Sequence, residues 1–194
     1  MSVQIKHYSA PPVDRHAILH YAGVVQAEAL TEQIDLLLLE IESRLTYRVC
    51  YRTIEVSVVG DVCDFGFFSL TSPDLAQNLR GCSRVVLFAA TIGVEMDRLQ
   101  ARYSRISPAK ALLLQAIGTE RIEALCDLFC ADIAGELGAC RPRFSPGYGT
   151  VPLAVQKEFF KLLECEKRLG ICLTDSLLMI PTKTVTAFIG VVGE

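Results

Sequence analysis

Tyr47-Arg48-Val49-Cys50-Tyr51-Arg52-Thr53-Ile54-Glu55-Val56-Ser57-Val58-Val59, closed by the turn pair Gly60-Asp61, carries the strongest β signal in the chain. Its β-branched and aromatic residues, partly alternating with polar ones, predict a strand, and residues 65–70 beyond the turn predict an antiparallel partner. Two further strands are expected over 171–179 and 184–192, and residues 84–90 form a near-continuous apolar run suited to the centre of a sheet. Adjacent strands mixed with helices favour an α+β fold over a strictly parallel doubly wound sheet.

Outward from these strands the helical signals are clear. Asp14 is placed to cap a short helix through Tyr21 that Gly23 closes. Ile34, Leu37, Leu38, Ile41 and Leu45 recur at spacings of three and four, one apolar stripe on a helix over 28–45. Ser72 and Pro73 open a helix that Gly81 ends, and Gly93 opens another to about residue 103. Ser107-Pro108 starts a long helix through Gly135, with Gly118 a weak point inside it, and Pro152 starts one through Leu169 that Gly170 terminates. The length fits a single domain over 1–194, with a helical N-terminal part (1–46) and a core (47–194).

Composition narrows the function. With 51% apolar and 21% charged residues and a net charge of −3, neither a nucleic-acid surface nor a disordered tail is expected. The eight cysteines lie in apolar runs without a C-x-x-C pair or a signal peptide, which reads as reduced thiols in a cytoplasm. No apolar run approaches the roughly 20 residues of a membrane span, so a soluble protein without a membrane partner is expected. The glycine patterns of dinucleotide and triphosphate sites are missing. His16 and His20 have a metal-compatible spacing but no evident third ligand, so a solvated helix face and no metal are expected. All three histidines fall within the first 20 residues, leaving no nucleophile-and-base arrangement.

Arg143-Phe144-Ser145-Pro146-Gly147-Tyr148-Gly149 is the main functional clue. Pro146 fixes a backbone angle, while Gly147 and Gly149 allow a tight bend with bare backbone facing a ligand. Arg143 offers a fork for a carboxylate and Tyr148 an amphipathic ring. The plain alternative is an ordinary turn, with Arg143 solvated and Tyr148 packed on the core. Glu120, Glu123 and Asp127 share one face of the preceding helix; by default this is a solvated stripe, but opposite an arginine it would suit a zwitterionic ligand.

The same residues, with Glu164, Glu166-Lys167, Gly170-Ile171-Cys172-Leu173-Thr174-Asp175-Ser176 and Met179-Ile180-Pro181, resemble the activation domain of cobalamin-dependent methionine synthase in its short, free-standing form. The likeness is clear from about 118 to 192; Asp175 stands where the family has Glu and Ile180 where it has Trp. The segment leading to Arg143 is shorter than in the full-length synthase, and the chain ends near Val192 without the family's C-terminal extension. The resemblance implies a mixed, largely antiparallel bent sheet with flanking helices. It also implies S-adenosylmethionine binding and support of the reductive methylation of cob(II)alamin to methylcobalamin. Carried over by motif, Arg143 would hold the methionine carboxylate and Glu123 would be an acidic ligand. The backbone around Ser145, Pro146, Gly147 and Tyr148 would receive the adenosyl portion, Phe144 would be a further S-adenosylmethionine-binding residue, and the Tyr148 ring would lie near the methyl group and the corrin, the one catalytic position. Asp14 matches a second acidic contact only through a gap. With no Asp-x-His-x-x-Gly motif in these residues, the cobalamin is expected on a corrinoid-bearing methionine synthase chain, reactivated in trans, with an electron donor such as flavodoxin or ferredoxin. The second reading is a non-catalytic S-adenosylmethionine-binding or docking subunit for another corrinoid methyltransferase.

Overall fold

The computed structural model describes residues 2–24 and 28–193. A four-stranded, wholly antiparallel sheet is built from β1 (Gln4–Tyr8), β2 (Tyr47–Glu55), β6 (Cys82–Thr91) and β9 (Thr184–Val192), in that spatial order. The apolar run read as a central strand is β6, flanked by β2 and β9 and buried on both faces. Alternation sorts its side chains: Val86, Phe88 and Ala90 face one core cluster, and Val85, Leu87 and Ala89 the other.

The first cluster lies under α1 (Arg15–Tyr21), α2 (Glu28–Ile41), α4 (Glu95–Ile106) and α5 (Pro108–Leu137). The second lies under α3 (Pro73–Asn78), α6 (Gln156–Leu162) and α7 (Cys165–Leu169). The expected caps form, since the Asp14 side chain accepts the Ala17 N–H and Ser72 accepts that of Leu75. The expected stripe on α2 is also buried, with Ile34, Leu37 and Ile41 in the core, although the α-helix stops at Ile41 and a 3-10 turn, Glu42–Arg44, leads to Leu45. Gly118 does not weaken α5, which runs unbroken; a Cβ there would stand 2.7 Å from Lys183 Cε and 2.9 Å from Met96 Cγ. Gly118 is a point of close packing.

Four expectations are corrected. The predicted strand over 47–59 breaks after Glu55 and resumes as β3 (Ser57–Val59), which pairs with β4 (Val62–Asp64) instead of 65–70. Residues 65–68 form a turn: the Asp64 carboxylate accepts the Gly66 N–H, and Phe65 N–H donates to the Phe68 carbonyl. β5 (Ser69–Thr71) follows as the third strand of this small sheet. The helix that begins after Gly93 starts at Glu95 and runs to Ile106, three residues past the predicted end. The helix expected over 152–169 is broken. Leu153–Val155 is 3-10, and Glu164, at φ 50°, turns the chain between α6 and α7, which lets Phe159, Leu163, Cys165 and Leu169 all reach the second core cluster. Finally, 171–179 is a tight hairpin and not one strand. β7 (Cys172–Leu173) pairs with β8 (Met179–Ile180) around a turn in which the Thr174 hydroxyl accepts the Leu178 N–H.

Candidate functional site

The loop at 143–149 is pinned at both ends by the fold. At its start, Phe144 exchanges two backbone hydrogen bonds with Phe188 on the free edge of β9, at 2.9 and 2.8 Å, and Arg141 N–H donates to Gly190. At its end, the Asp74 carboxylate in the first turn of α3 accepts the Thr150 N–H at 2.8 Å, and the Ser72 and Thr150 hydroxyls lie 2.7 Å apart. Between the anchors, Tyr148 N–H donates to the Ser145 carbonyl and Gly147 N–H to that of Val151. Gly149 requires the absence of a side chain: its φ is +51°, and a Cβ would stand 2.5 Å from the same Asp74 oxygen. Pro146 is buried beneath the turn.

From this frame Arg143 reaches α5. Its Nη2 donates to Glu123 at 2.5 Å and its Nη1 to Asp127. Residues 123 and 127 are one helical turn apart, so α5 presents both carboxylates on one face. Burial would pull the guanidinium pKa down, but the hydrogen bond it donates to Asp127 and the charges around it hold it above the ordinary arginine value. Arg143 therefore stays a cation. One positive and two negative groups make the cluster a net-anionic spot in which the arginine fork and the two carboxylates are engaged with one another.

Glu120 leaves the expected stripe. It is 3% exposed, and Arg121 grips it through Nε and Nη2 while donating to the carbonyls of Pro11 and Pro12. The other Glu120 contact is the Asp14 N–H, so this buried knot ties the N-terminal segment and α1 onto α5. The Asp14 carboxylate is occupied as a helix cap. Tyr21, the last residue of α1, was not singled out from the sequence: burial, then the charges of Glu123 and Asp127, raise its hydroxyl pKa. A tyrosine at a helix end carries no sequence signal for which neighbouring helix it will meet.

Tyr148 is 70% exposed, its ring edge-on to Phe144 at 5.4 Å between centroids. The core-packed alternative for this residue does not hold. With Phe144 it walls a cleft of about 560 Å³ also lined by Asp74, Asn78 and Arg141. The structure thus joins Arg143 directly to Glu123 and Asp127, and Phe144 to Tyr148, while Ser145, Pro146 and Gly147 shape the turn between. His16 and His20 lie on the exposed side of α1, and among the described residues no group of three His, Cys, Asp or Glu is close enough to hold a metal ion. Nor, among those residues, is any helix long and apolar enough to cross a membrane.

Residues 139–192 match the family model for the vitamin B12 dependent methionine synthase activation domain. That segment of the chain is similar to the family's activation domain. The matched segment contains the 143–149 loop, whereas Glu123, Asp127 and Tyr21 lie before it. Its fold is similar to a solved structure described as the MetH reactivation domain bound to AdoHcy, with a TM-score of 0.73 over 99% of this chain and 79% of that one, at 17% identity. No curated protein matches the chain in sequence.

Proposed function

We propose that this activation-type domain binds S-adenosylmethionine along Arg143 and the 143–149 loop and supports reductive methylation of a corrinoid held by a partner methionine synthase chain. One observation carries the reading: Arg143, inside the family-matched segment, projects from a rigidly pinned loop into two carboxylates of α5. A ligand with a carboxylate, an ammonium and a sulfonium calls for that combination of charges. In this reading Arg143 takes the ligand carboxylate and Glu123 the ammonium. The backbone at 145–148 receives the adenosyl group, and the exposed Tyr148 ring faces the incoming corrin. The AdoHcy in the similar solved structure, the demethylated form of the same donor, supports this ligand class.

The donor supplies a methyl group on a positive sulfur and the reduced corrinoid the electron pair that accepts it, so the protein needs neither nucleophile nor base. Its residues bind, orient and exclude water. The electron comes from a donor such as flavodoxin or ferredoxin.

The test is to mix the protein with a corrinoid-loaded methionine synthase chain, a one-electron reductant and methyl-labelled S-adenosylmethionine. Label should enter the corrinoid only when this protein is present. Binding without any label transfer would instead mean a binding or docking subunit.

A further inference from the structure

The two acids on Arg143 differ in a way that matters for ligand entry. A carboxylate binds a guanidinium best by meeting two nitrogens at once. In this chain Nη1 is taken by Asp127 and Nη2 by Glu123, so the edge between them is already occupied at both ends. A ligand carboxylate that takes this end-on edge displaces one acid. Glu123 is the more buried of the two, with its side chain 37% exposed against 69% for Asp127, so Asp127 is the one that water can receive when it lets go. The backbone cannot move out of the way instead, because the arginine is adjacent to the Phe144–Phe188 bridge and the loop beyond it is fastened to α3 through Asp74 and Thr150.

We infer that Asp127 is an internal stand-in for the ligand carboxylate: it latches Arg143 in the free protein and is displaced when an amino-acid carboxylate arrives, while Glu123 stays to receive the ammonium. This rests on the proposed ligand. It assigns Asp127 a role opposite to that of Glu123 although the two lie one turn apart on the same helix. The latch holds the guanidinium extended in its binding position and sets a threshold that a ligand lacking the amino-acid end does not have to overcome, because such a ligand never competes for Arg143.

The experiment is calorimetric titration of the full chain and its Asp127→Asn and Glu123→Gln variants with two probes. AdoHcy has the amino-acid end but an uncharged sulfur, so removing a negative charge does not confuse the result through a sulfonium. 5′-Methylthioadenosine lacks the amino-acid end. An exposed ion pair contributes little, so Asp127→Asn should bind AdoHcy about two- to fivefold more tightly than the parent chain. Its affinity for 5′-methylthioadenosine should not change, and Glu123→Gln should weaken AdoHcy binding. AdoHcy affinity that is unchanged or weaker in Asp127→Asn overturns the latch, as does equal tightening for both probes, which would place the effect elsewhere than Arg143. Failure of the parent chain to bind AdoHcy at all would remove the proposed ligand, and the latch with it.

Discussion

Arg121→Met is the sharpest structural perturbation, because it leaves a buried carboxylate behind. Arg121 and Glu120 are both almost fully buried, and the arginine supplies two donors to Glu120 and one each to the carbonyls of Pro11 and Pro12. Methionine replaces most of the stem volume but none of these donors. The Glu120 carboxylate would keep only the Asp14 N–H, and two carbonyls would lose their partners. Removing one member of a buried ion pair costs about 3–5 kcal/mol, since the remaining charge stays desolvated. For a domain of this size that corresponds to a fall in Tm of roughly 10 °C. Thermal and urea unfolding followed by circular dichroism would read it. Replacing both residues, as Glu120→Leu with Arg121→Met, should recover part of the loss, because no unpaired charge is left. A Tm for Arg121→Met within about 2 °C of the parent, or a double variant as unstable as the sum of the single ones, would refute the assignment of this knot as the clamp that seats the N-terminal segment.

Other consequences follow from the packing around the loop and α5. Lys183 is 6% exposed, its ammonium donating to the Gln115 carbonyl and the Thr119 hydroxyl, and burial pulls its pKa from 10.5 down to about 8 despite the opposing charge of Asp97. A cation with a depressed folded pKa is penalised while charged, so the penalty is complete below about pH 8 and fades as pH rises to 10.5. The parent chain should therefore gain stability relative to Lys183→Met across that window, by at most about 1.4 kcal/mol per pH unit, and a stability difference that stays flat in urea titrations would contradict this. Gly149→Ala must adopt φ +51° and push against Asp74, whereas Gly23→Ala, at φ +71°, meets open space. Both should lose about 1 kcal/mol to the left-handed backbone, and only Gly149→Ala should lose a further 1–3 kcal/mol and weaken S-adenosylmethionine binding severalfold; equal Tm values for the two would argue against the Asp74 anchor.

Where the chain's own periodicity decides the outcome, the sequence was legible. The apolar run of β6, the stripe of α2 and the caps at Asp14 and Ser72 are local features, and all form as expected. The errors arise where a side chain or a distant surface overrides the local pattern. Residues 65–68 have strand-forming aromatics, yet Asp64 and Gly66 close a turn that stacks Phe65 on Phe188. The helix after Pro152 lacks an internal proline or glycine, and it bends because four apolar side chains must reach one face of a sheet. At the site, the arginine, the two-glycine loop and the acidic face are all visible in the sequence. That Glu120 turns inward while Glu123 and Asp127 turn to Arg143 is not, because identical residue types at helical spacing part ways only when α1 and the loop are in place.

The central claim, that the 143–149 loop and the acidic face of α5 hold S-adenosylmethionine, is most directly tested by calorimetric titration of the parent chain and Arg143→Ala with that ligand. Saturable one-to-one binding to the parent is expected, weakened in Arg143→Ala by about 2 kcal/mol, or roughly thirtyfold, through loss of a charge-assisted pair. No saturable binding to the parent, or equal affinity in the two proteins, would contradict it.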